Sequence, residues 1–219
     1  GAPNALSDFP SLPESIAAVH AATIASKRTT WTMATPPADG DPVGGLPIGE
    51  AVRRRRSALD FVGGTRAMSL PQLLALLSVA RAQLLELYLY VHRVDGLPPG
   101  LYRAGEHLEC IRRGDQRVVA AGLSLGQNLA GNACVALSML ADLEQAEDRY
   151  GPRGYRYAHM EAGALGQRLY VGAEALGLRA TGIGAFFDDR VHEYLGVERK
   201  RVVYHFAIGY PVPDPRLEG

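Results

Sequence analysis

The sequence has little cysteine, little tryptophan and no charge imbalance. Its two cysteines, Cys110 and Cys134, form no C-x-x-C pair and stand near no histidine pair, which argues against a disulfide framework or a zinc finger and for thiols kept in a reducing compartment. Basic and acidic residues number 23 each, for a formal charge of zero. A chain that lives on nucleic acid or on an anionic membrane carries a basic excess, so both partners are excluded as expectations. No apolar run approaches the ~20 residues of a spanning helix. The first residues also lack a basic-then-apolar signal pattern, and the expectation is a soluble, cytoplasmic protein. No G-x-G-x-x-G follows a strand and no G-x-x-x-x-G-K-[ST] occurs, so neither a Rossmann cofactor site nor a P-loop is supported. The six histidines are scattered without ligand spacing, and no metal centre is expected.

What is present is enough apolar residue, 47% of 219, for one sizeable core. Residues 1–45 read as an N-terminal helix and an extended arm. Ser11-Leu12-Pro13-Glu14 matches a capping box opening a helix to about Lys27, and residues 29–46 show no period. Residues 46–219 read as a single domain. Ser69-Leu70-Pro71 starts a helix with Leu70, Leu73, Leu74 and Leu77 on one face, running to about Ala82, and Leu85 begins an alternating strand. A glycine-proline turn at residues 95–100 and strands near Leu101 and His107 give an antiparallel hairpin unit. Gln116–Leu129 reads as a helix and Ala133–Leu140 as a buried strand. Asp142–Arg149 reads as a charged helix and Arg201–Ile208 as a last strand. Interleaved helices and hairpin-linked strands predict an α+β fold around an antiparallel-leaning sheet.

The stretch from Gly154 to Gly196 organises the rest. An aromatic-rich entry leads into a helix over His159–Leu176, on which Leu165, Leu169 and Leu176 mark one face while Ala162, Gly163, Gly166 and Ala173 leave others nearly bare. Glycine in a helix costs up to ~1 kcal/mol against alanine, so packing or a ligand must offset it. Gly177 ends the helix. A strand over Leu178–Thr181 then meets a glycine loop, Gly182-Ile183-Gly184-Ala185, whose backbone N–H groups can approach a flat or anionic ligand closely.

Upstream, a helix carrying Glu50 and Val52 runs into Arg53-Arg54-Arg55-Arg56-Ser57. Three readings stand there: a solvated helix end, a basic localisation or nucleic-acid patch, and a phosphate clamp of guanidinium forks with the Ser57 hydroxyl. Gly122-Leu123-Ser124-Leu125-Gly126 is literally G-x-S-x-G, with Asp188 and His192 or His205 following in the order of a serine hydrolase. The segment reads at least as well as helix, and no glycine-rich oxyanion motif accompanies it.

Three matches taken together resemble one family. Arg55-Arg56-Ser57 followed by Phe61 resembles the RRSxRxF signature of the flavin-dependent nitroreductase superfamily. Leu97-Pro98-Pro99-Gly100-Leu101-Tyr102 is similar to a turn of its SagB-type dehydrogenase branch. The residues Tyr150–Tyr157, Glu161-Ala162-Gly163, Gln167, Ala175–Leu178 and Gly184-Ala185-Phe186 are similar to that branch's C-terminal signature. The resemblance implies a central, mostly antiparallel sheet flanked by helices, an obligate homodimer, and FMN at the subunit interface with NAD(P)H as a transient hydride donor. By matching position, Arg55, Arg56 and Ser57 meet the phosphate and ribityl end. Gly182, Ile183, Gly184 and Ala185 lie against the isoalloxazine, and Arg216 is the candidate for a basic residue after the last strand. No catalytic side chain is implied.

The sequence departs from the family pattern at Leu59, where the signature has a third basic residue, at Ala164 and Arg168, and at the junction near residues 82–85, where the family usually has a longer segment. That junction is either a deletion or the place of a lid. Flavin chemistry leaves two substrate classes open, a small nitro, quinone or enone acceptor and an azoline in a modified peptide. A degenerate member that binds flavin weakly and serves as a partner or scaffold is the alternative, and a hydrolase using Ser124 the third.

Overall fold

The computed structural model describes residues 13–24, 31–34 and 45–215. In chain order these form α1 (Glu14–Thr23), α2 (Ile48–Arg54), β1 (Met68–Ser69), α3 (Leu70–Val79), β2 (Leu85–Val91), β3 (Val94–Asp95), β4 (Gly100–Ala104) and β5 (Leu108–Arg113). They continue with α4 (Arg117–Leu123), α5 (Asn128–Asn132), β6 (Val135–Ala141), α6 (Leu143–Tyr150), a short 3-10 turn (Gly151–Arg153), α7 (Gly154–Ala175), β7 (Arg179–Ile183), α8 (Asp188–Leu195) and β8 (Arg201–Gly209). Six strands run β5-β4-β2-β6-β8-β7 with every neighbour antiparallel, while β1 and β3 pair separately and in parallel.

Helices cover both faces of the sheet, and this explains its strand sequences. On β6 every residue is buried. Leu87, Leu89, Leu137, Met139 and Phe206 face α3 and α7, where Leu73, Leu76, Leu165 and Leu169 meet them. Tyr88, Tyr90, Ala136, Leu140 and Ala207 face α4, α5 and α8, against Leu123, Ala130, Val191 and Leu195. The alternation seen in β2 therefore separates two cores rather than core from solvent.

Helix α7 begins at Gly154, five residues before the expected His159, so the aromatic entry is its first turn. That turn, with Arg153 just before it, holds N-terminal residues: Arg156 donates from Nε to Thr23 Oγ1 at 2.6 Å, Arg153 donates to the Thr23 carbonyl at 3.0 Å, and Trp31 stacks on Tyr157 at 5.0 Å. The expected capping residue Ser11 and the expected helix end Lys27 lie outside the described residues, and α1 as described starts after Pro13 and ends at Thr23. The small residues of α7 do bring backbones together. A Cβ on Gly166 would sit 3.0 Å from the Tyr204 ring, so glycine lets α7 lie flat on β8.

Other expectations are corrected. Helix α3 is capped by Ser69, which accepts from the Gln72 amide at 3.3 Å while Gln72 Oε1 accepts from the Ser69 amide at 2.9 Å, and it ends at Val79. Its core face is Leu73 and Leu76, and Leu74 is turned outward. The helix expected over Gln116–Leu129 is broken into α4 and α5, because Leu125 and Gly126 adopt left-handed φ of 55° and 73°. Strand β7 extends through Gly182 and Ile183, which were expected in a loop. Among the described residues no helix is long and apolar enough to cross a membrane.

The junction between α3 and β2 is a tight turn. Buried Glu161 of α7 accepts from the Gln83 and Leu84 amides at 2.9 and 2.7 Å, which closes the turn directly. Glu161→Ala leaves two backbone donors without an acceptor and is expected to lower unfolding free energy by ~2 to 4 kcal/mol, measured by urea titration.

Two histidines are buried and neutral. Burial pushes both His92 and His205 down to about 4 from 6.5, outweighing for His92 the Ala130 carbonyl bonded to its ring. Above the unfolded value of 6.5 neither state carries the proton and stability is full. As pH falls from 6.5 to 4 the unfolded chain takes up protons that the folded one refuses, so stability drops, by up to ~3 kcal/mol per histidine. Urea midpoints followed through this window are expected to fall, and His205→Gln to flatten part of the slope.

Candidate functional site

Helix α2 starts after Pro47, whose fixed φ suits a helix entry, and ends at Arg54 because Arg55 swings to φ −52°, ψ 125°. Arg53 and Arg54 thus close the helix, while Arg55, Arg56 and Ser57 lie beyond it, which corrects a helix running through the whole arginine segment. The segment then runs along the free edge of β7. Ser57 forms a parallel bridge with Ala180, the Ala58 amide donates to the Ala180 carbonyl at 3.0 Å, and Thr181 Oγ1 donates to the Ala58 carbonyl at 2.8 Å. Further on, Phe61 bridges Pro211 and the Val62 amide donates to Tyr210 at 2.9 Å.

This placement brings the upstream arginines beside the glycine stretch, and Tyr170 of α7 joins them. Its hydroxyl accepts from the Gly182 amide at 2.7 Å and shares a 2.9 Å hydrogen bond with Ser57 Oγ. The Arg55 guanidinium lies 5.0 Å from the centre of the Tyr170 ring. Arg54 turns away to Glu50 at 3.1 Å and to Glu174 at 3.9 Å, and Arg56 Nη1 donates to the Arg55 carbonyl at 3.0 Å.

The glycine stretch divides into two parts. A Cβ on Gly182 would overlap the Tyr204 hydroxyl, so this glycine makes room for packing. Desolvation, and secondarily Tyr170, raises the Tyr204 phenol. Because the Ala180 carbonyl and the Gly182 amide point away from β8, alternation turns the Ile183 amide inward to its ladder partner His205 and the Gly184 amide outward. Gly184 and Ala185 are exposed, nothing lies within 4 Å of a Cβ built on Gly184, and neither amide has an acceptor among the described residues. Arg55, Arg56, Ser57, Gly184 and Ala185 thus share one rim. The expected contact Arg216 lies outside the described residues. Sequence reading passed over Tyr170 and Tyr204, since no periodicity separates them from other tyrosines.

Behind this rim sits the G-x-S-x-G turn. Ser124 Oγ lies 3.1 Å from His205 Nδ1, His205 Nε2 lies 2.9 Å from Ser138 Oγ, and Ser138 donates to the Tyr90 hydroxyl at 3.1 Å. A serine–histidine pair exists, but both ring nitrogens are occupied by serines and no carboxylate orients the ring. Ser124 is 2% exposed and follows a helix rather than a strand. His192 Nε2 is occupied by the Val202 amide at 3.0 Å, and Asp188 opens α8. No nucleophile elbow is formed.

Residues 73–210 match the model of the Nitroreductase family. A protein of Methanocaldococcus jannaschii, itself described as a nitroreductase, is 35% identical over 117 residues, covering 52% of this chain and 59% of that protein. The trifolitoxin operon protein TfxC of Rhizobium leguminosarum bv. trifolii is 30% identical over 120 residues, covering 52% of this chain and 34% of its own length. A solved nitroreductase-type structure from Anabaena variabilis superposes with a TM-score of 0.77 at 29% identity, covering 94% of this chain and 49% of that one. The chain thus spans about half, or less, of the length of two of these three proteins. The family match takes in the whole six-stranded sheet, α7 and the glycine rim, and the chain belongs to the Nitroreductase family.

Proposed function

We propose that the chain is an FMN-dependent oxidoreductase of the SagB-type branch, working as a homodimer. One observation carries the reading: the Tyr170 hydroxyl bonds both Ser57 and Gly182, setting a guanidinium-bearing segment beside a strand end with two exposed, unengaged amides. Along β7, Ser57 is opposite Ala180, and Gly184 lies four residues further, about 13 Å at ~3.3 Å per residue. The rim has room for a molecule that is anionic at one end and a hydrogen-bonding ring at the other. Space above Gly184, which a side chain would fill, supports the fit of a flat ring.

Bound there, FMN supplies hydride transfer through its N5. The protein's share is orientation and electrostatics. Arg55 and Arg56 would hold the phosphate with charge-assisted hydrogen bonds, Ser57 would meet the ribityl end, and the Gly184 and Ala185 amides would donate to the ring edge. No side-chain acid is required on this rim. The substrate is either a small nitro, quinone or enone acceptor reduced by NAD(P)H, in keeping with the nitroreductase that is 35% identical, or an azoline in a modified peptide, which would further need a peptide groove and a base.

The homodimer reading rests on apolar side chains left uncovered around the rim. Ile48, Val52, Leu59 and Val62 are about half exposed or more. Such a cluster beside a charged segment fits a self-complementary interface. Light scattering on the purified chain is expected to give twice 23.5 kDa. A second reading, a degenerate member that serves as a scaffold, is favoured by Leu59, which removes a cation from the rim.

An absorption band near ~450 nm, released with acid as FMN, separates the two. Protein that stays colourless after incubation with FMN overturns the flavin reading. Arg55→Ala is expected to raise the FMN dissociation constant ~10 to 150-fold, the equivalent of ~1.5 to 3 kcal/mol for a charge-assisted bond. Unchanged affinity in that variant removes Arg55 from the clamp.

A further inference from the structure

The G-x-S-x-G turn has no catalytic task, yet it carries the one non-glycine residue with a left-handed backbone among the described residues, Leu125 at φ 55°. Backbone of this kind persists only where its surroundings hold it. The turn is held on its inner side by Ser124, whose hydroxyl meets His205, and closed by the Gly126 amide donating to Ala121 at 2.9 Å and the Gln127 amide donating to Ser124 at 3.1 Å. On its outer side it touches the loop after β7 at both ends. Gln127 Nε2 donates to the Ala185 carbonyl at 3.3 Å, and the Phe187 amide donates to the Leu123 carbonyl at 3.0 Å. Between these contacts Phe186 stacks on the His205 ring at 4.6 Å, with 26° between the planes. His205 is itself the ladder partner of Ile183.

We infer that the Gly122–Gln127 turn, latched by the Ser124–His205 hydrogen bond, is a positioning element that fixes the Gly184–Phe187 loop from behind. The proposal deepens the flavin reading and rests on it for its consequence. Gly184 and Ala185 present amides to a ligand but have no acceptor of their own, so their direction is set by the residues that follow. Those residues are held by the Gln127 amide group, the Leu123 carbonyl and the His205 ring. Buried His205 serves two structures at once: Nδ1 holds the turn and the ring face holds Phe186. Ser138 on Nε2 keeps the ring from rotating. None of these groups touches the proposed cofactor, so Ser124, His205 and Gln127 are positioning residues.

The test uses Ser124→Ala and Gln127→Glu in the full chain. The first removes the latch hydroxyl, and the second keeps the shape while removing the amide donor to Ala185. Hydrogen exchange of the Phe187 amide reads the loop without any flavin. It is expected to quicken at least tenfold in Ser124→Ala, while β6 amides keep their wild-type rates. With FMN added, both variants are expected to bind at least fivefold more weakly and to shift the midpoint potential of the bound flavin, with Tm within a few degrees of wild type. Unchanged Phe187 exchange in Ser124→Ala overturns the latch, whether or not the wild type binds FMN. A loosened loop with wild-type FMN affinity and potential overturns the positioning role while leaving the flavin reading intact. Failure of the wild type to bind FMN overturns that reading separately, since the exchange result stands without it.

Discussion

The rim exists because a single phenol is hydrogen-bonded to two distant parts of the chain. Tyr170 stands on α7, accepts the Gly182 amide and bonds Ser57, more than a hundred positions upstream. Strand β7 is the edge of the sheet, and an edge carries unpaired amides and carbonyls that must go somewhere. Ser57 and Ala58 take some of them and Tyr170 takes another, while just past the strand end the Gly184 and Ala185 amides have no acceptor among the described residues. In the proposed function, a place for a polar ring edge is what this incomplete cover of the sheet edge leaves.

That incomplete edge is tolerated because the centre of the sheet, β2, β6 and β8, is largely buried. With α3 and α7 on one face and α4, α5 and α8 on the other, the central strands have no solvent side. The rigid sheet then fixes α7, and α7 fixes Tyr170. Glycine at position 166 matters here, since it lets α7 settle onto the Tyr204 ring and carry residue 170 down to the level of Gly182. Close packing of this kind transmits position with little play.

Much of this was legible in the sequence, and the misses have physical causes. The small residues of α7, the alternating β2, the apolar β6 and the capped α3 announced themselves because local pattern and tertiary role agree. The arginine segment was misread as helical. Its ψ at Arg55 is set by pairing with β7, a partner far away in sequence that propensity cannot see. At Gly182 the missing Cβ makes room for the Tyr204 hydroxyl, a packing use that leaves the same letter in a sequence as a ligand-approach glycine. The helix over Gln116–Leu129 broke at Leu125, a residue whose own preference is helical and whose conformation is imposed by contacts on either side.

The G-x-S-x-G motif shows why a string of residues needs geometry before it earns a mechanism. A nucleophilic serine must reach substrate, and its histidine must be free to carry a proton and be oriented by a carboxylate. Here the serine is buried, the histidine is held between two hydroxyls, and burial keeps the ring neutral down to about pH 4. Those same properties, useless for attack, suit a rigid support: a neutral ring with both nitrogens engaged cannot tumble, and its face offers a flat surface to Phe186. A serine and a histidine at hydrogen-bonding distance are chemically ambiguous, and solvent access decides between catalysis and support.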